Sequence, residues 1–131
     1  MKTLKISRLR STTWLLLLAS TAVLVGEDKS AEDLAAKRDA ELAAEAKNAA
    51  TVKAGKATYV SLCQSCHADA KATGDSPTNL FDAKWYHGGR PSQIEHTVLQ
   101  GVIEKGMPGW GPVLPPEDVA AVTAFILSSQ K

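Results

Sequence analysis

Two cysteines and a histidine lie within five consecutive residues, at Cys63, Cys66 and His67. Two thiols at this spacing can sit on the same side of a single turn and add across the two vinyl groups of one haem. The histidine that follows directly can bind the haem iron through an imidazole nitrogen. The C-x-x-C-H spacing therefore predicts one covalent c-type haem, attached through Cys63 and Cys66, with His67 as the proximal iron ligand.

Paired cysteines have three other common uses. A thioredoxin-like redox pair requires a βαβ pattern around it, and this sequence shows none. A structural zinc site needs four ligands from Cys or His, and His87 and His96 are not spaced as a second ligand pair. A structural disulfide suits an exported protein, although a three-residue separation closes a very short loop. The adjacent histidine favours covalent haem over all three.

Three side chains could supply the second axial ligand to the iron: Met107, His87 and His96. Met107 lies in a Gly-Met-Pro-Gly loop, where glycine allows close approach to a haem and proline stiffens the chain. Its thioether is soft and uncharged and suits ferrous iron, so Met107 is the predicted ligand. A methionine that merely fills a core gap fits such a loop poorly. His96 is predicted on a helix surface and His87 in a turn.

The N-terminus has the features of an export signal. Four basic residues precede an apolar run over residues 14–25, and these 12 residues suit a signal-peptide core. A full membrane span needs roughly 20 residues. Small residues offer a cleavage site, but apolar residues continue beyond it, so residues 1–26 are predicted to be a signal peptide or a membrane anchor. Both options place the protein on the periplasmic side of the bacterial inner membrane, either anchored or soluble after cleavage.

Residues 27–54 form a compositionally separate block, with seven acidic and five basic residues and few large apolar ones. Alanine, glutamate and lysine favour helix, and Ser30 with Asp33 is a potential capping pair for one helix over residues 30–54. Without an apolar stripe such a helix is not expected to dock firmly on a core. We predict a solvated helical spacer. The alternative is a coiled coil, but the leucines do not repeat as heptads.

Residues 55–131 are predicted to form the domain that carries the haem. One helix is expected over residues 53–66, and residues 77–89 are expected to form a loop. Another helix is expected from Ser92, with Glu95 completing a capping box, and a last one from Pro116, followed by apolar residues at helical spacing. No alternating strand pattern is present. The predicted fold class is therefore all-α, with short helices and long loops around one haem.

Several short motifs follow one another along residues 55–131. They are Gly55-x-x-x-Tyr59, Cys63-x-x-Cys66-His67, Pro77-Thr78-Asn79-Leu80, Trp85-Tyr86-His87-Gly88-Gly89, Gly106-Met107-Pro108 and a last helix with Phe125. In these motifs the chain resembles a class I mono-haem cytochrome c domain, and most of all the c-type domains of cbb3-type cytochrome oxidase subunits. The resemblance implies a small cytochrome c fold in which Gly55 and Tyr59 let the first helix of the domain cross the last one near Phe125.

The resemblance also implies a partner for the ring of His67. A backbone carbonyl, that of Pro77 or Thr78, is expected to accept the proton on Nδ1 and so fix the ring. This chain has Pro-Thr-Asn-Leu where the family usually has Pro-Asn-Leu, so both carbonyls remain candidates.

The predicted ligand set indicates an electron carrier rather than an enzyme. An iron held by both His67 and Met107 has no open position for a substrate. A peroxidase-like enzyme or a haem-based gas sensor, the two alternatives, needs a vacant or displaceable sixth position. Binding of carbon monoxide to the reduced protein would separate these functions.

The predicted partners are redox proteins, with the donor and the acceptor unidentified, and include a membrane-bound oxidase or dehydrogenase. Residues 55–131 carry six basic and seven acidic residues, so no ring of lysines predicts docking to an acidic partner. Electrons are expected to pass at the haem edge near Trp110 and Pro112 through apolar contacts, with a membrane tether raising the effective concentration. No basic patch suggests nucleic acid.

Overall fold

A computed structural model describes residues 21–67, 76 and 78–130, and for residues 21–28 the backbone alone. It contains four α-helices: α1 (Thr21–Glu45), α2 (Ala49–Thr58), α3 (Pro91–Gln100) and α4 (Pro116–Ser128). A π-helical turn, Tyr59–Cys63, continues α2, and a 3-10 turn, Ile103–Lys105, follows α3. The described part of the chain contains no β-strand, which confirms the all-α prediction.

The chain divides into two compact units, Met1–Asp33 and Leu34–Lys131. The second unit holds the core and all the predicted site residues, and it begins upstream of residue 55, where the sequence places the start of the domain. Most of the predicted export segment, residues 1–26, lies outside the described residues. Among the helices that are described, none is long and apolar enough to cross a membrane.

The block predicted as one helix over residues 30–54 forms parts of two helices. α1 begins upstream of Ser30, so this residue starts no helix, and α1 ends at Glu45. The side-chain oxygen of Asn48 then accepts hydrogen bonds from two backbone N–H groups in the first turn of α2, at 3.0 and 3.3 Å. The single-helix prediction is wrong because this asparagine cap starts a new helix.

The end of α1 contacts the rest of the second unit, although the sequence predicts a solvated spacer. Leu42 is fully buried, with 0% of its surface exposed. Arg38 and Asp39 form hydrogen bonds with residues of α3. The expectation that this block does not dock is therefore wrong for this part of α1. Polar contacts and one buried leucine take the place of the missing apolar stripe.

The crossing of α2 and α4 lies at the centre of the core. A Cβ atom added to the buried Gly55 would lie 1.8 Å from the backbone oxygen of Ala121, so only glycine lets the two backbones approach this closely. The rings of Tyr59 and Phe125 lie 5.2 Å apart between centroids. Phe81 packs against both rings, at 5.5 and 6.0 Å. The expected crossing of the first and last helices of the domain is confirmed.

α3 begins one residue before its predicted start. Pro91 occupies the first helical position, and Gln93 Oε1 accepts a hydrogen bond from the backbone N–H of Arg90 at 3.1 Å. The predicted capping box of Ser92 and Glu95 is wrong. Both residues form hydrogen bonds with α1 instead, so their cap-like spacing serves a contact between helices.

Candidate functional site

The predicted site residues meet at one cavity of about 380 Å³. Cys63, Cys66, His67 and Met107 all line this cavity. The apolar part of its wall comes from the π-helical turn, α3, α4 and the loops between them: Leu62, Leu80, Val98, Pro108, Trp110, Val122 and Ile126. The fold thus brings a methionine that is distant in sequence to the same cavity as the C-x-x-C-H motif.

The backbone around Cys63 places both cysteines and the histidine on one turn. The N–H of Gln64 donates to the carbonyl of Tyr59 at 2.9 Å and closes the π-helical turn. The carbonyl of Cys63 then accepts the N–H groups of Cys66 and His67, at 3.1 and 2.9 Å. The two thiols are not joined in a disulfide. Burial raises the pKa of the Cys63 thiol.

A hydrogen bond fixes the orientation of the His67 ring. Its Nδ1 lies 3.0 Å from the backbone oxygen of Thr78. Because a carbonyl can only accept, Nδ1 carries the proton and Nε2 keeps a lone pair that can bind a metal. Of the two carbonyls that the resemblance leaves open, that of Thr78 is the partner. The hydroxyl groups of Thr78 and Ser76 lie 3.0 Å apart in the same loop.

The Met107 loop, residues 106–111, lies against the C-terminal end of α3. Met107 and Val102 exchange two backbone hydrogen bonds, at 3.0 and 3.2 Å. Gly101 ends α3 with a φ of +73°, and a Cβ atom there would lie 2.5 Å from the backbone of the loop. Glycine is therefore needed at this position because the backbone at the end of α3 lies directly against the backbone of the loop.

The two other histidines do not line the cavity. His96 is exposed on α3, and His87 is exposed in the loop that precedes α3. No group of three or more His, Cys, Asp or Glu side chains within the described residues could hold a metal ion. The zinc interpretation of the cysteines therefore has no ligand set in the part of the chain that is described.

The residues that form the apolar wall were not identified from the sequence. Val98 lies on α3, and Val122 and Ile126 lie on α4. Their helical spacing indicates a buried face. It does not show whether that face packs on another helix or lines a cavity. Trp110, expected at the edge where electrons pass, lines the cavity, whereas Pro112 is exposed and does not.

The chemistry of the cavity fits a haem. Apolar walls suit a porphyrin, and two thiols on one turn suit its two vinyl groups. An imidazole nitrogen and a thioether sulfur are the axial ligands that cytochromes c use. Fold and site together thus have the features of a cytochrome c domain.

The family comparison agrees with this class. The family model described as "Cytochrome C oxidase, cbb3-type, subunit III" matches residues 50–126, which is more than half of the chain. The chain belongs to this family. It carries covalently bound haem c. The resemblance to cbb3-type cytochrome c domains is confirmed.

The individual relatives are also named as subunits of cbb3-type cytochrome c oxidases. The cbb3-type cytochrome c oxidase subunit FixP of Sinorhizobium medicae strain WSM419 is 32% identical over 85 residues, covering 59% of this chain and 29% of the relative. FixP of Rhizobium meliloti strain 1021 gives the same identity and coverage. FixP of Azorhizobium caulinodans is 32% identical over 78 residues, covering 56% of this chain and 26% of the relative. The chain therefore matches less than a third of each relative. No solved structure matches it.

Proposed function

We propose that this protein is an electron carrier whose haem c is attached through Cys63 and Cys66 and ligated by His67 and Met107. The observation that carries the proposal is that these four side chains line one cavity with largely apolar walls. The bound haem would supply an iron that takes up and releases one electron. Two protein ligands leave no open position for a substrate, which favours a carrier over a peroxidase-like enzyme or a gas sensor.

The side chains that attach and ligate the haem have different tasks in this proposal. The two thiols hold the cofactor covalently, so it stays in place while redox partners come and go. The hydrogen bond from His67 to Thr78 orients the imidazole and makes Nε2 a stronger donor to iron. The soft thioether of Met107 favours the ferrous state and raises the reduction potential. The apolar wall would keep water away from the haem iron, whose charge changes when it takes up an electron.

We further propose that the carrier works on the periplasmic side of the bacterial inner membrane and exchanges electrons with a membrane-bound oxidase of cbb3 type. The family description and the names of the relatives support this partner. Residues 1–26 would direct export and, if retained, would anchor the chain. Residues 55–131 would form the cytochrome domain, preceded by the 27–54 segment.

Substitution of Met107 tests the proposed ligand set. Met107→Ala is expected to abolish the ferric charge-transfer absorption typical of sulfur ligation, lower the potential and open the iron to carbon monoxide. His96→Ala is the matched control, because His96 is an exposed residue outside the cavity. An unchanged spectrum in Met107→Ala together with an altered one in His96→Ala would contradict the assignment.

Electron transfer to membranes tests the proposed partner. The reduced protein is mixed with membranes from two strains of one host that differ only in the presence of a cbb3-type oxidase, and its oxidation is followed by absorbance. Faster oxidation by the membranes that contain the oxidase is expected. Equal rates with the two membranes would rule out the oxidase as acceptor and leave the ligand set untouched.

A further inference from the structure

The last part of α1 forms an arm that lies outside the family match. This arm, residues 34–45, precedes the matched residues 50–126 and belongs to the same compact unit as the cavity. Leu42 in the arm is fully buried. Because the family description does not cover the arm, its contacts alone indicate what it does.

Two side chains of the arm bind α3. Arg38 Nε donates to Glu95 Oε2 at 2.8 Å, and Arg38 Nη2 donates to the other oxygen of the same carboxylate. Asp39 Oδ1 accepts the backbone N–H of Ser92 at 2.6 Å. Arg90 Nε lies 3.9 Å from Asp39 Oδ2. These four interactions are called the arm contact below.

The arm contact is stronger than an ordinary surface ion pair. The side chain of Glu95 is only 13% exposed and that of Arg38 38% exposed. The pKa of the Arg38 guanidinium is raised, chiefly by its hydrogen bonds to Glu95. A guanidinium that donates two hydrogen bonds to one partly buried carboxylate contributes more to stability than an exposed ion pair does. Asp39 also supplies a negative acceptor to the first turn of α3, whose N–H groups have no partner within the helix.

The other end of α3 holds the Met107 loop. The N–H of Trp110 donates to the carbonyl of Val98 at 3.0 Å, and the N–H of Gly111 donates to that of Leu99 at 3.1 Å. The backbone of the loop also lies directly against Gly101. α3 has ten residues and is therefore about 15 Å long. The arm contact is made in its first half, and the loop is held at its last turn.

We propose that Arg38 and Asp39 are positioning residues that fix α3 and, through it, hold the Met107 loop against the cavity. The proposal rests on the proposed function, in which Met107 is an iron ligand. A short helix moves as one rigid element. When its first half is released, α3 can shift on α4, which strains the hydrogen bonds from Trp110 and Gly111 to its last turn. These bonds then open more often, and the Met107 loop is held less firmly against the cavity.

The test uses the full-length, haem-loaded protein, three single variants and one double variant. Arg38→Ala removes the ion pair, and Arg38→Lys keeps the charge but loses the two-point geometry. Glu41→Ala is the matched control, because Glu41 is the partner of Arg38 within α1, at 3.1 Å. Hydrogen exchange of the Trp110 and Gly111 amides reports on the loop. Exchange of the Val122 amide in α4 reports on unfolding of the whole unit.

In Arg38→Ala, exchange of the two loop amides is expected to rise about tenfold relative to Val122, as fits the loss of a partly buried ion pair. Arg38→Lys should give a smaller rise, and Glu41→Ala none. The rate at which carbon monoxide binds the reduced protein should likewise rise most in Arg38→Ala, less in Arg38→Lys and not at all in Glu41→Ala. Exchanging the two charges, with Arg38→Glu and Glu95→Arg together, should restore part of the protection; Glu41 then lies beside a like charge, so full recovery is not expected.

Unchanged exchange of the loop amides in Arg38→Ala would overturn the proposal. A parallel rise at Val122 would also overturn it, because the ion pair would then only stabilise the whole unit. Failure of the exchanged pair to restore any protection would count against it as well. The exchange readout does not require Met107 to bind iron. If Met107→Ala leaves the ferric spectrum unchanged, the proposed ligand fails, and exchange still decides whether Arg38 positions the loop.

Discussion

Gly55→Ala tests the helix crossing at the centre of the core. The added Cβ atom would lie 1.8 Å from the backbone oxygen of Ala121 and 2.4 Å from its carbonyl carbon, whereas real Cβ atoms stay at least 3.0 Å from such neighbours. The obstacle is the backbone of α4, so no side chain can rotate away. α2 and α4 must therefore separate by about 1.2 Å, which loosens the packing of Tyr59 against Phe125.

Two effects of opposite sign decide the result. Alanine is a better helix former than glycine and would by itself stabilise α2 by about 1 kcal/mol. Overpacking a core typically costs about 1–3 kcal/mol, and a clash of a Cβ atom with a helix backbone lies at or above the upper end of that range. The expected net loss is about 2 kcal/mol or more of the free energy of unfolding. For a unit of this size that lowers Tm by about 10 °C or more.

Thermal unfolding of the haem-loaded protein, followed by circular dichroism, measures this loss. Ala57→Gly is the control: it makes the reverse exchange at an exposed position of the same helix and is expected to cost only about 1 kcal/mol. Gly55→Ala should therefore be the more damaging variant, although it improves helix propensity. A Tm that stays the same or rises in Gly55→Ala would refute the close crossing.

Three further predictions follow from the arm and the leader. Leu42→Ala should lower the free energy of unfolding by about 3 kcal/mol, because a fully buried side chain is truncated; Leu34→Ala, at a 67% exposed position, should change it by less than about 0.5 kcal/mol in the same urea titration. Burial acts to raise the pKa of Asp39, but hydrogen bonds from Ser92 and the charge of Arg90 bring it below its ordinary value of 3.8. The stability that this lowered pKa supplies is fully present above the ordinary value and is lost as pH falls through the lowered one, so urea midpoints between about pH 5 and pH 2 should fall less in Asp39→Asn. Expression of residues 27–131 without the leader should leave the protein without covalent haem, and a foreign signal peptide should restore it; haem adducts found by mass spectrometry in the cytoplasmic protein would contradict this.

Local signals in the sequence predict helices of the domain, but they do not predict contacts between residues that are far apart in the sequence. Pro116 and the apolar spacing after it identify α4, which begins at that residue. The docking of the arm could not be foreseen, because Arg38 and Glu95 are 57 residues apart. Each of these residues, taken alone, looks like an ordinary charge on a solvated helix. The capping pattern of Ser92 and Glu95 led to a wrong prediction for the same reason, since both residues form hydrogen bonds with α1.

The site shows the same division between local and distant information. The C-x-x-C-H motif by itself predicts haem attachment, because that attachment needs those residue types at that spacing. The carbonyl that orients His67 depends on the path of a loop, and only the structure selects Thr78. The apolar wall combines α3, α4 and two loops, so its members cannot be recognised from any single stretch of sequence.

Carbon monoxide binding to the reduced protein tests the proposed ligation by both His67 and Met107 most directly. Carbon monoxide binds ferrous haem only where the sixth position is open or becomes open. If Met107 is the second ligand, the unsubstituted protein should show no rapid binding at neutral pH in a stopped-flow measurement, whereas Met107→Ala should bind at once. Rapid binding by the unsubstituted protein, at the rate of Met107→Ala, would contradict the proposed carrier.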